Sequence, residues 1–272
     1  MTPDARQDRE DRSDRETGES TAEWNDSALD VTLSADRLST VLDGAAALVD
    51  ECRLSFEDGL VLRARDPADV AMAELSLSAG AFERHAADGR TFGVALDRFR
   101  DAVSVANGDI RLTLGEGGRF RVEAGPVEYA LAPIDPNAVR SVEWIDGEAA
   151  ARVQLPGREL RRAVRAADLV ADHLTFVADP DAATFAVTAD GDTDDVTLDF
   201  INAVESFEPG AVESMYAVDY LDRIARTVPA DATVTVAFLE AAEPAGRPLA
   251  LSHDLADGTG SARWLLAPRI QR

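Results

Sequence analysis

Residues 92–103, FGVALDRFRDAV, and residues 216–228, YAVDYLDRIARTV, are two versions of one pattern placed 124 positions apart. The first begins with a short β-type stretch, FGVAL, and both contain apolar residues at helical spacing. The ends of the two halves also agree, since ALAPI around position 132 corresponds to LLAPRI around position 267. A repeat this long indicates a duplicated domain, because solenoid repeats have periods of only about 20–50 residues.

Each copy of the pattern lies within a similar order of elements. In the first half, a strand at 28–33 precedes a helix over 35–50, and a second helix covers 96–106. In the second half, helices are predicted over 157–170 and 219–227. The other predicted strands are CRLSFED, LVLRARD, VAMAELSLS, FGVAL, IRLTL, RFRVEA and VEYALAPI, then ARVQLP, LTFVA, ATFAVTA, VTLDF, TVTVAF, PLALSHD and ARWLLAPRI. The fold class is therefore α+β, with two similar domains that each consist of an antiparallel sheet backed by two helices.

The same pattern gives the domain limits. Residues 1–27 carry nine acids, four arginines and one large apolar side chain, Trp24, so they are predicted to be a disordered acidic tail. The first domain then covers 28–134 and the second 149–272, with a connecting loop over 135–148.

The charge balance is strongly acidic. Asp and Glu number 51 against 27 basic residues, all of them arginine, and the net charge is −24. Such a surface stays hydrated in molar salt, where the Debye length is ~3 Å. This balance indicates a halophilic protein and argues against binding to DNA or membranes by bulk charge attraction, although it leaves local basic patches possible.

Other signals narrow the class further. No apolar run approaches the roughly 20 residues of a membrane span, and the N-terminal MTPDARQDREDRSDRE lacks an apolar signal region. The single cysteine, Cys52, cannot form an intrachain disulfide and fits a reducing compartment. We therefore expect a cytoplasmic protein.

Several separate motifs resemble one family in its own order and spacing. They are residues 48–77, LVDECRLSFEDGLVLRARDPADVAMAELSL, with ADLVADHL at 167–174, DGDTDDVTL at 190–198 and LLAPRI at 265–270. Over about 28–272 the chain is similar to archaeal DNA sliding clamps of the proliferating-cell-nuclear-antigen family, haloarchaeal members above all. The resemblance implies the clamp fold and a homotrimeric ring around duplex DNA. It also implies tethering of DNA polymerase, clamp loader, nucleases and ligase through short peptides, with no catalysis, cofactor or metal.

In that family, helices line the ring's hole and carry basic residues. The helix GRELRRAVRAADLV places Arg158, Arg162 and Arg165 on one face. By the resemblance, these three and two arginines of the second helix, Arg223 and Arg226, are candidates for contact with DNA. The first domain departs from the family pattern. Its corresponding positions hold Ser39, Thr40, Ala46, Asp101 and Ser104, which leaves only Arg37, Arg98 and Arg100.

The family also binds partner peptides in an apolar pocket beneath the connecting loop. The matching positions here are Val70, Met72, Pro248, Leu265, Ala267 and Pro268, with Trp144 or Ile145 contributed by the loop. Core packing alone would explain Val70 or Leu265, but adjacent apolar residues in a polar loop indicate a binding surface. Arg65 stands where an apolar pocket residue is usual, which predicts an altered peptide preference.

Ring closure in the family pairs two edge strands, here VEYALAPI of one chain with DDVTLDF of the next. Pro133 removes one backbone donor from the first of these strands. This departure, Arg65 and the weakly basic first domain favour an alternative function. The chain could be a divergent paralogue that acts as a regulatory or mixed-ring subunit, or as a peptide-binding module that does not encircle DNA.

A metal-dependent enzyme is the remote alternative. Asp190, Asp192, Asp194 and Asp195 begin like a calcium loop. However, the sixth position has no glycine and the twelfth is Ile201 in place of glutamate. The three histidines, His85, His173 and His253, are scattered and form no motif with Cys52.

Overall fold

The fold was analysed in a computed structural model that describes residues 29–87, 89–140, 142–200, 202–241 and 246–269. The predicted tail, 1–27, and its Trp24 lie outside the described residues. Within them, the two halves of the chain each contain nine strands and two α-helices.

The helices lie where apolar spacing predicts them, with small differences at their ends. α1 covers Ala35–Ala46, α2 Leu96–Ser104, α3 Gly157–Asp168 and α4 Val218–Thr227. α1 therefore ends four residues earlier than predicted. α3 starts directly after Pro156, and a Cβ on Gly157 would lie 2.2 Å from the carbonyl oxygen of Pro229. Only glycine allows this close approach between the start of α3 and the segment after α4.

The strands of the first half confirm most of the predictions. They are β1 Asp30–Ser34, β2 Glu51–Phe56, β3 Gly59–Arg65, β4 Ala71–Ser78, β5 Arg84–Ala86, β6 Arg90–Ala95, β7 Asp109–Leu114, β8 Phe120–Ala124 and β9 Val127–Leu131. β5 is an addition that the sequence did not indicate. β9 ends at Leu131, so Pro133 lies beyond the strand and removes no donor from it. The prediction that this strand includes Pro133 was therefore wrong.

The second half follows the same order. Its strands are β10 Ala149–Pro156, β11 His173–Asp179, β12 Thr184–Asp190, β13 Asp195–Asp199, β14 Ser206–Glu208, β15 Val212–Ala217, β16 Thr233–Leu239, β17 Leu249–Leu255 and β18 Gly260–Leu266. β14 and β15 were not predicted.

All pairings between these strands are antiparallel, but the sheets are not confined to one half each. One sheet has the order β5-β1-β7-β8-β9 and another β13-β12-β11-β15. The third joins both halves in the order β14-β10-β16-β17-β18-β4-β3-β2-β6. The joint is β4 with β18, whose register places Met72 opposite Leu265 and Leu77 opposite Gly260. The two repeats are therefore continuous through one sheet.

The helices cover the core in two pairs, α1 beside α2 and α3 beside α4. Each helix has one buried apolar face; in α1 this face includes Leu38, Val41, Leu42 and Ala45. At the joint between the halves, the buried Trp264 of β18 donates its indole Nε1–H to the carbonyl of Gly44 in α1, at 3.1 Å. The tryptophan thus fixes a helix of the first half to a strand of the second.

A buried carboxylate makes another link between the halves. Asp66, 2% exposed, accepts backbone N–H bonds from Ala68, Val70 and Ala71 at 3.0, 2.6 and 2.7 Å. It also accepts the hydroxyl of Tyr220 in α4 at 2.7 Å. Burial raises the pKa of this carboxyl, but the hydrogen bonds outweigh it and hold the pKa below its usual value. Asp66 therefore holds the turn before β4 most strongly when it is ionised.

We expect Asp66→Asn to lower the free energy of unfolding by about 1.5–3 kcal/mol at pH 7, the scale of hydrogen bonds to charged groups. Because the folded-state pKa of Asp66 is depressed, its contribution is present above the unfolded pKa of about 3.9 and is lost as pH falls through the folded value. Denaturant unfolding in molar KCl at neutral and acid pH measures this difference.

Asp97→Asn is the matched control, since Asp97 is exposed on α2 and its one recorded ion pair within the described residues is a long one to Arg100, at 3.8 Å. Its effect should stay within about 0.5 kcal/mol. A loss at Asp66→Asn that is equally large in strong acid would contradict the role of the ionised carboxylate.

Candidate functional site

The arginines of α3 form an exposed face. Arg158, Arg162 and Arg165 recur at intervals of four and three residues, and all three are exposed. The opposite face of the helix is buried and consists of Leu160, Ala163, Val164 and Ala167. The sequence therefore placed these three arginines on the solvent side of α3 correctly.

Acidic neighbours compensate only part of this charge. Arg158 and Arg162 share one carboxylate, Glu159, at 3.7 and 3.6 Å. Among the described residues, no ion pair is recorded for Arg165. α3 holds four arginines against Glu159 and Asp168, a net charge of +2. A helix with this excess can contact anions without first losing its own ion pairs.

The two arginines of α4 are also exposed but are paired within their helix. Arg226 lies 2.5 Å from Asp222, and Arg223 lies 3.5 Å from Asp219. The guanidinium of Arg223 also sits 4.6 Å from the ring centre of Tyr220. These exposed pairs are weak in water, so either arginine can exchange its partner for another anion at little cost.

Arg161 is a structural arginine that the sequence analysis missed. Its guanidinium donates to the carbonyls of Ala225, at 2.9 Å, and of Val228, both at the end of α4. The last carbonyls of a helix lack partners within the helix, and a cation there also meets the negative end of its dipole. Arg161 therefore fixes α4 beside α3, which holds the two arginine-bearing helices together.

The helices of the first half carry little basic charge. Arg37 turns away to the carbonyl of Ala81, at 2.7 Å, and Arg100 pairs with Asp43 at the same distance. Asp36, Asp97 and Asp101 are exposed. Ser39, Thr40, Ala46 and Ser104 add no charge, which leaves Arg98 as an exposed arginine with no recorded ion pair among the described residues. The charge on the helix layer is therefore concentrated in the second half.

An apolar cavity of about 230 Å³ lies beside the joint between β4 and β18. It gathers six of the predicted pocket residues: Val70, Met72, Ile145, Pro248, Leu265 and Ala267. Met72 and Leu265 are neighbours across the two strands, while Val70 and Ala267 are joined by a backbone hydrogen bond of 2.8 Å. Ile145 is 55% exposed and contributes the loop's side of the cavity.

Two other predicted pocket residues do not line this cavity. Trp144 is half-buried and packs against the small apolar cluster under the loop, with the guanidinium of Arg263 4.3 Å from its ring centre. Pro268 is half-buried outside the cavity. Leu239, Glu240 and Gly147 line it and were missed. Leu239 ends β16, and no local signal in the sequence shows that this strand end meets the loop.

The rim of the cavity is charged. Arg65, Asp69, Asp146 and Glu240 line it together with the apolar residues. Arg65 lies 2.9 Å from Asp69, and Asp69 also accepts a hydrogen bond from Arg140. Arg65 thus adds a cation at the edge of the cavity, while the floor of the cavity stays apolar.

Two strands that the resemblance assigns to ring closure lie at sheet edges. β9 ends the five-stranded sheet and β13 ends the four-stranded one. Two large hydrophobic side chains of β9 are exposed: the apolar Val127, at 38%, and the aromatic Tyr129, at 43%. Edge strands with exposed apolar side chains are suited to pairing with another chain.

The residues considered for catalysis or metal binding do not assemble into such a site. Within the described residues, no group of three or more His, Cys, Asp and Glu side chains is placed to hold a metal ion. Cys52 is buried, and burial raises the pKa of its thiol, which disfavours a reactive thiolate. Burial also lowers the pKa of His253. No helix among the described residues is long and apolar enough to cross a membrane.

Comparison with known proteins agrees with this geometry. The chain is 40% identical over 245 residues to the DNA polymerase sliding clamp of the haloarchaeon Natronomonas pharaonis, and the match covers 88% of this chain and 97% of that protein. The chain belongs to the DNA polymerase sliding clamp family. No protein-family model matches it.

Solved clamp structures share the fold. The structure of the C-terminal region of FEN-1 bound to A. fulgidus PCNA matches with a TM-score of 0.81 and 31% identity, over 90% of this chain and 99% of that one. The PCNA2–PCNA3 complex from Sulfolobus tokodaii matches with a TM-score of 0.75 and 25% identity, over 88% and 99%. The clamp fold predicted from the sequence is confirmed.

Proposed function

We propose that this chain is a DNA polymerase sliding clamp that forms a homotrimeric ring around duplex DNA and tethers replication and repair proteins. The observation that carries the proposal is the match to sliding clamps over almost their whole length. The ring acts without catalysis, in the cytoplasm. Its clamp domains cover 28–134 and 149–272, and the loop at 135–148 connects them.

The DNA-facing charge comes from Arg158, Arg162 and Arg165 of α3 with Arg223 and Arg226 of α4. Their exposure on two adjacent helices supports this role. Contacts with phosphates weaken steeply as salt rises, because binding releases counterions. A ring that encloses DNA stays attached through its topology, so a modest number of arginines is sufficient for a clamp in molar salt.

Partner peptides bind in the apolar cavity at the joint between β4 and β18. A. fulgidus PCNA has been solved with the C-terminal region of FEN-1, which supports peptide capture by a chain of this fold. Here the floor would be Met72 and Leu265, and Ile145 of the loop would cover the peptide. Trp144 would support the loop from its inner side, where it packs against the small apolar cluster. DNA polymerase, clamp loader, nucleases and ligase are the expected partners.

Ring closure uses β9 of one chain and β13 of its neighbour. Both strands lie at free edges of their sheets, which supports the pairing. A second candidate is a mixed ring, and the PCNA2–PCNA3 complex shows that clamp chains can associate with different chains. The weakly basic helices of the first half favour this candidate, because a second type of chain could supply the missing charge.

Light scattering in ~2–3 M KCl tests ring closure. We expect a mass of three chains of 29.1 kDa each, because both edges are present on one chain. A monomer under these conditions would contradict the homotrimer and support the mixed ring. Adding the host's other clamp chains should then restore a trimer.

Reversing the charge at Arg162, Arg165 and Arg226 together, each to Glu, tests the DNA-facing helices. We expect polymerase stimulation on primed circular DNA to fall at least tenfold, since each change replaces an attraction to phosphate by a repulsion. The control is the same triple charge change at Arg84, Arg119 and Arg152, which lie outside the four helices. Full stimulation by the helix variant would refute the assignment.

Ile145→Ala tests the peptide cavity, with Val105→Ala as control. The two side chains are 55% and 52% exposed, but only Ile145 lines the cavity. The methyl groups that Ile145 would bury against a bound peptide are lost in the variant. The affinity for a FEN-1 C-terminal peptide should therefore fall about 5–20-fold in a direct titration, at ~0.8 kcal/mol per buried methylene. Equal affinities for the two variants would contradict the assignment. Trp144→Ala with Leu265→Ala should weaken capture further.

A further inference from the structure

A second cavity, of about 470 Å³, lies beside the apolar one, and Arg65 lines both. Four arginines surround it: Arg63 and Arg65 of β3, Arg140 of the connecting loop, and Arg223 of α4. Asp50 and Glu51 are the carboxylates in its wall. This arginine groove therefore has two more positive than negative side chains, in a chain whose net charge is −24.

The arginines of the groove are not fully compensated by neighbouring acids. Arg65 and Arg140 share the single carboxylate of Asp69. Arg63 shares Glu74 with Arg263 in the same way. Although Arg65 Nε lies 2.9 Å from Asp69, it is buried and has no well-aligned hydrogen-bond acceptor among the described residues. Because Asp69 and Glu74 each serve two guanidinium groups, a further carboxylate would meet arginines that have no carboxylate of their own.

Asp69 is a carboxylate of this chain that already pairs with two of the groove's arginines, Arg65 and Arg140. Its backbone has a φ of +60°, in the left-handed region that Asp and Asn tolerate better than most residues. This conformation places its side chain between Arg65 and Arg140 and at the rim of the apolar cavity. Asp69 therefore competes with any acidic ligand for the same two guanidinium groups.

We propose that the arginine groove binds acidic side chains of the partner segment that flanks the residues seated in the apolar cavity. The inference rests on the proposed function, since it extends the same peptide site. Arg65 lines both cavities, so a peptide that leaves the apolar cavity along this residue reaches the arginine groove. Arginine suits this task in molar salt, because its paired N–H donors hold a carboxylate in direct contact. Salt screens such a contact less than longer-range attraction, since the Debye length is still ~3 Å.

The position of the arginines favours a peptide over DNA as the ligand. Arg63 and Arg65 lie on β3 and Arg140 on the connecting loop, which are the elements that surround the peptide cavity. Only Arg223 belongs to the helix layer, and it is already paired with Asp219 and placed over Tyr220. Three of the four arginines of the groove therefore lie on elements that border the peptide cavity, and not on the helices proposed to face DNA.

Two pairs of peptides test this inference on the full-length chain in 1 and 3 M KCl. All four contain the C-terminal region of A. fulgidus FEN-1; one pair is extended at the N-terminus and the other at the C-terminus, and each pair has one form with three glutamates and one with three glutamines. For the pair that is extended at the end facing the groove, we expect the glutamate form to bind about 5–10-fold tighter than the glutamine form. The reason is that a hydrogen bond between an arginine and a carboxylate is stronger than one between an arginine and a neutral amide. Arg140→Gln should remove this preference.

Asp69→Asn should change the preference for the glutamate peptide in the direction opposite to Arg140→Gln. It removes the competing carboxylate and keeps a residue that tolerates the left-handed backbone, so the preference for the glutamate peptide should increase a few-fold. Loss of the preference would contradict the competition. Arg152→Gln is the control, because Arg152 is an exposed arginine paired with Glu208 on another part of the nine-stranded sheet.

The outcomes separate the inference from the proposed function. Equal binding of the glutamate and glutamine forms in both pairs by the unaltered chain would overturn the inference and leave the peptide cavity in place. Binding of none of the peptides would overturn both. If Arg140→Gln impaired retention on circular DNA and left the peptide preference intact, the groove would be a phosphate site and the inference would fail.

Discussion

The antiparallel pairing of β4 with β18 is the constraint on which the rest of the structure depends. These strands lie almost 190 residues apart in the chain, yet their backbone groups satisfy one another and make two repeats into one sheet. The same register places Met72 against Leu265 and so creates the floor of the apolar cavity. Buried backbone groups must be paired, so the floor of the cavity cannot be rearranged without breaking the joint.

Two polar links reinforce this joint from the helix side. The indole of Trp264 holds α1 at Gly44, and the carboxylate of Asp66 holds Tyr220 of α4. Asp66 also fixes the amides of Val70 and Ala71, at the entry to β4. The residues at the cavity edge and the arginine-bearing helix therefore share one support, and the ionised carboxylate at its centre is kept in that state by its hydrogen bonds.

Local patterns in the sequence predicted most elements, because helical spacing and strand alternation are short-range signals. α2 and α4 were evident from their repeat. β15 was missed because one of its inward positions is Ser214, which interrupts the apolar alternation of Val212 and Tyr216. β5 and β14 have only three residues each, too few to show a period.

The candidate site was predictable to the extent that the resemblance supplied positions. Six cavity residues could be named in advance, but Leu239 reaches the cavity through contacts made far along the chain. Arg161 and Arg162 are adjacent and chemically identical in the sequence. Only the packing of α3 against α4 shows that Arg161 donates to helix carbonyls, while Arg162 is exposed and pairs with Glu159 on its own helix. Long-range contact decides such roles, and no local pattern records it.

The distribution of arginine follows from the acidity of the whole chain. In so acidic a chain, a guanidinium contributes net positive charge where it shares its carboxylate with another guanidinium, or where no carboxylate partner is recorded for it among the described residues, as for Arg165. Sharing occurs at Glu159 on α3, at Glu74 on the nine-stranded sheet, at Asp69 beside the cavity and at Asp30 on β1. Two guanidinium groups on one carboxylate keep a local excess of donors while the surface around them stays acidic and hydrated. Shared carboxylates thus mark the places where this protein can bind an anion in molar salt, and α3 and the arginine groove are two such places.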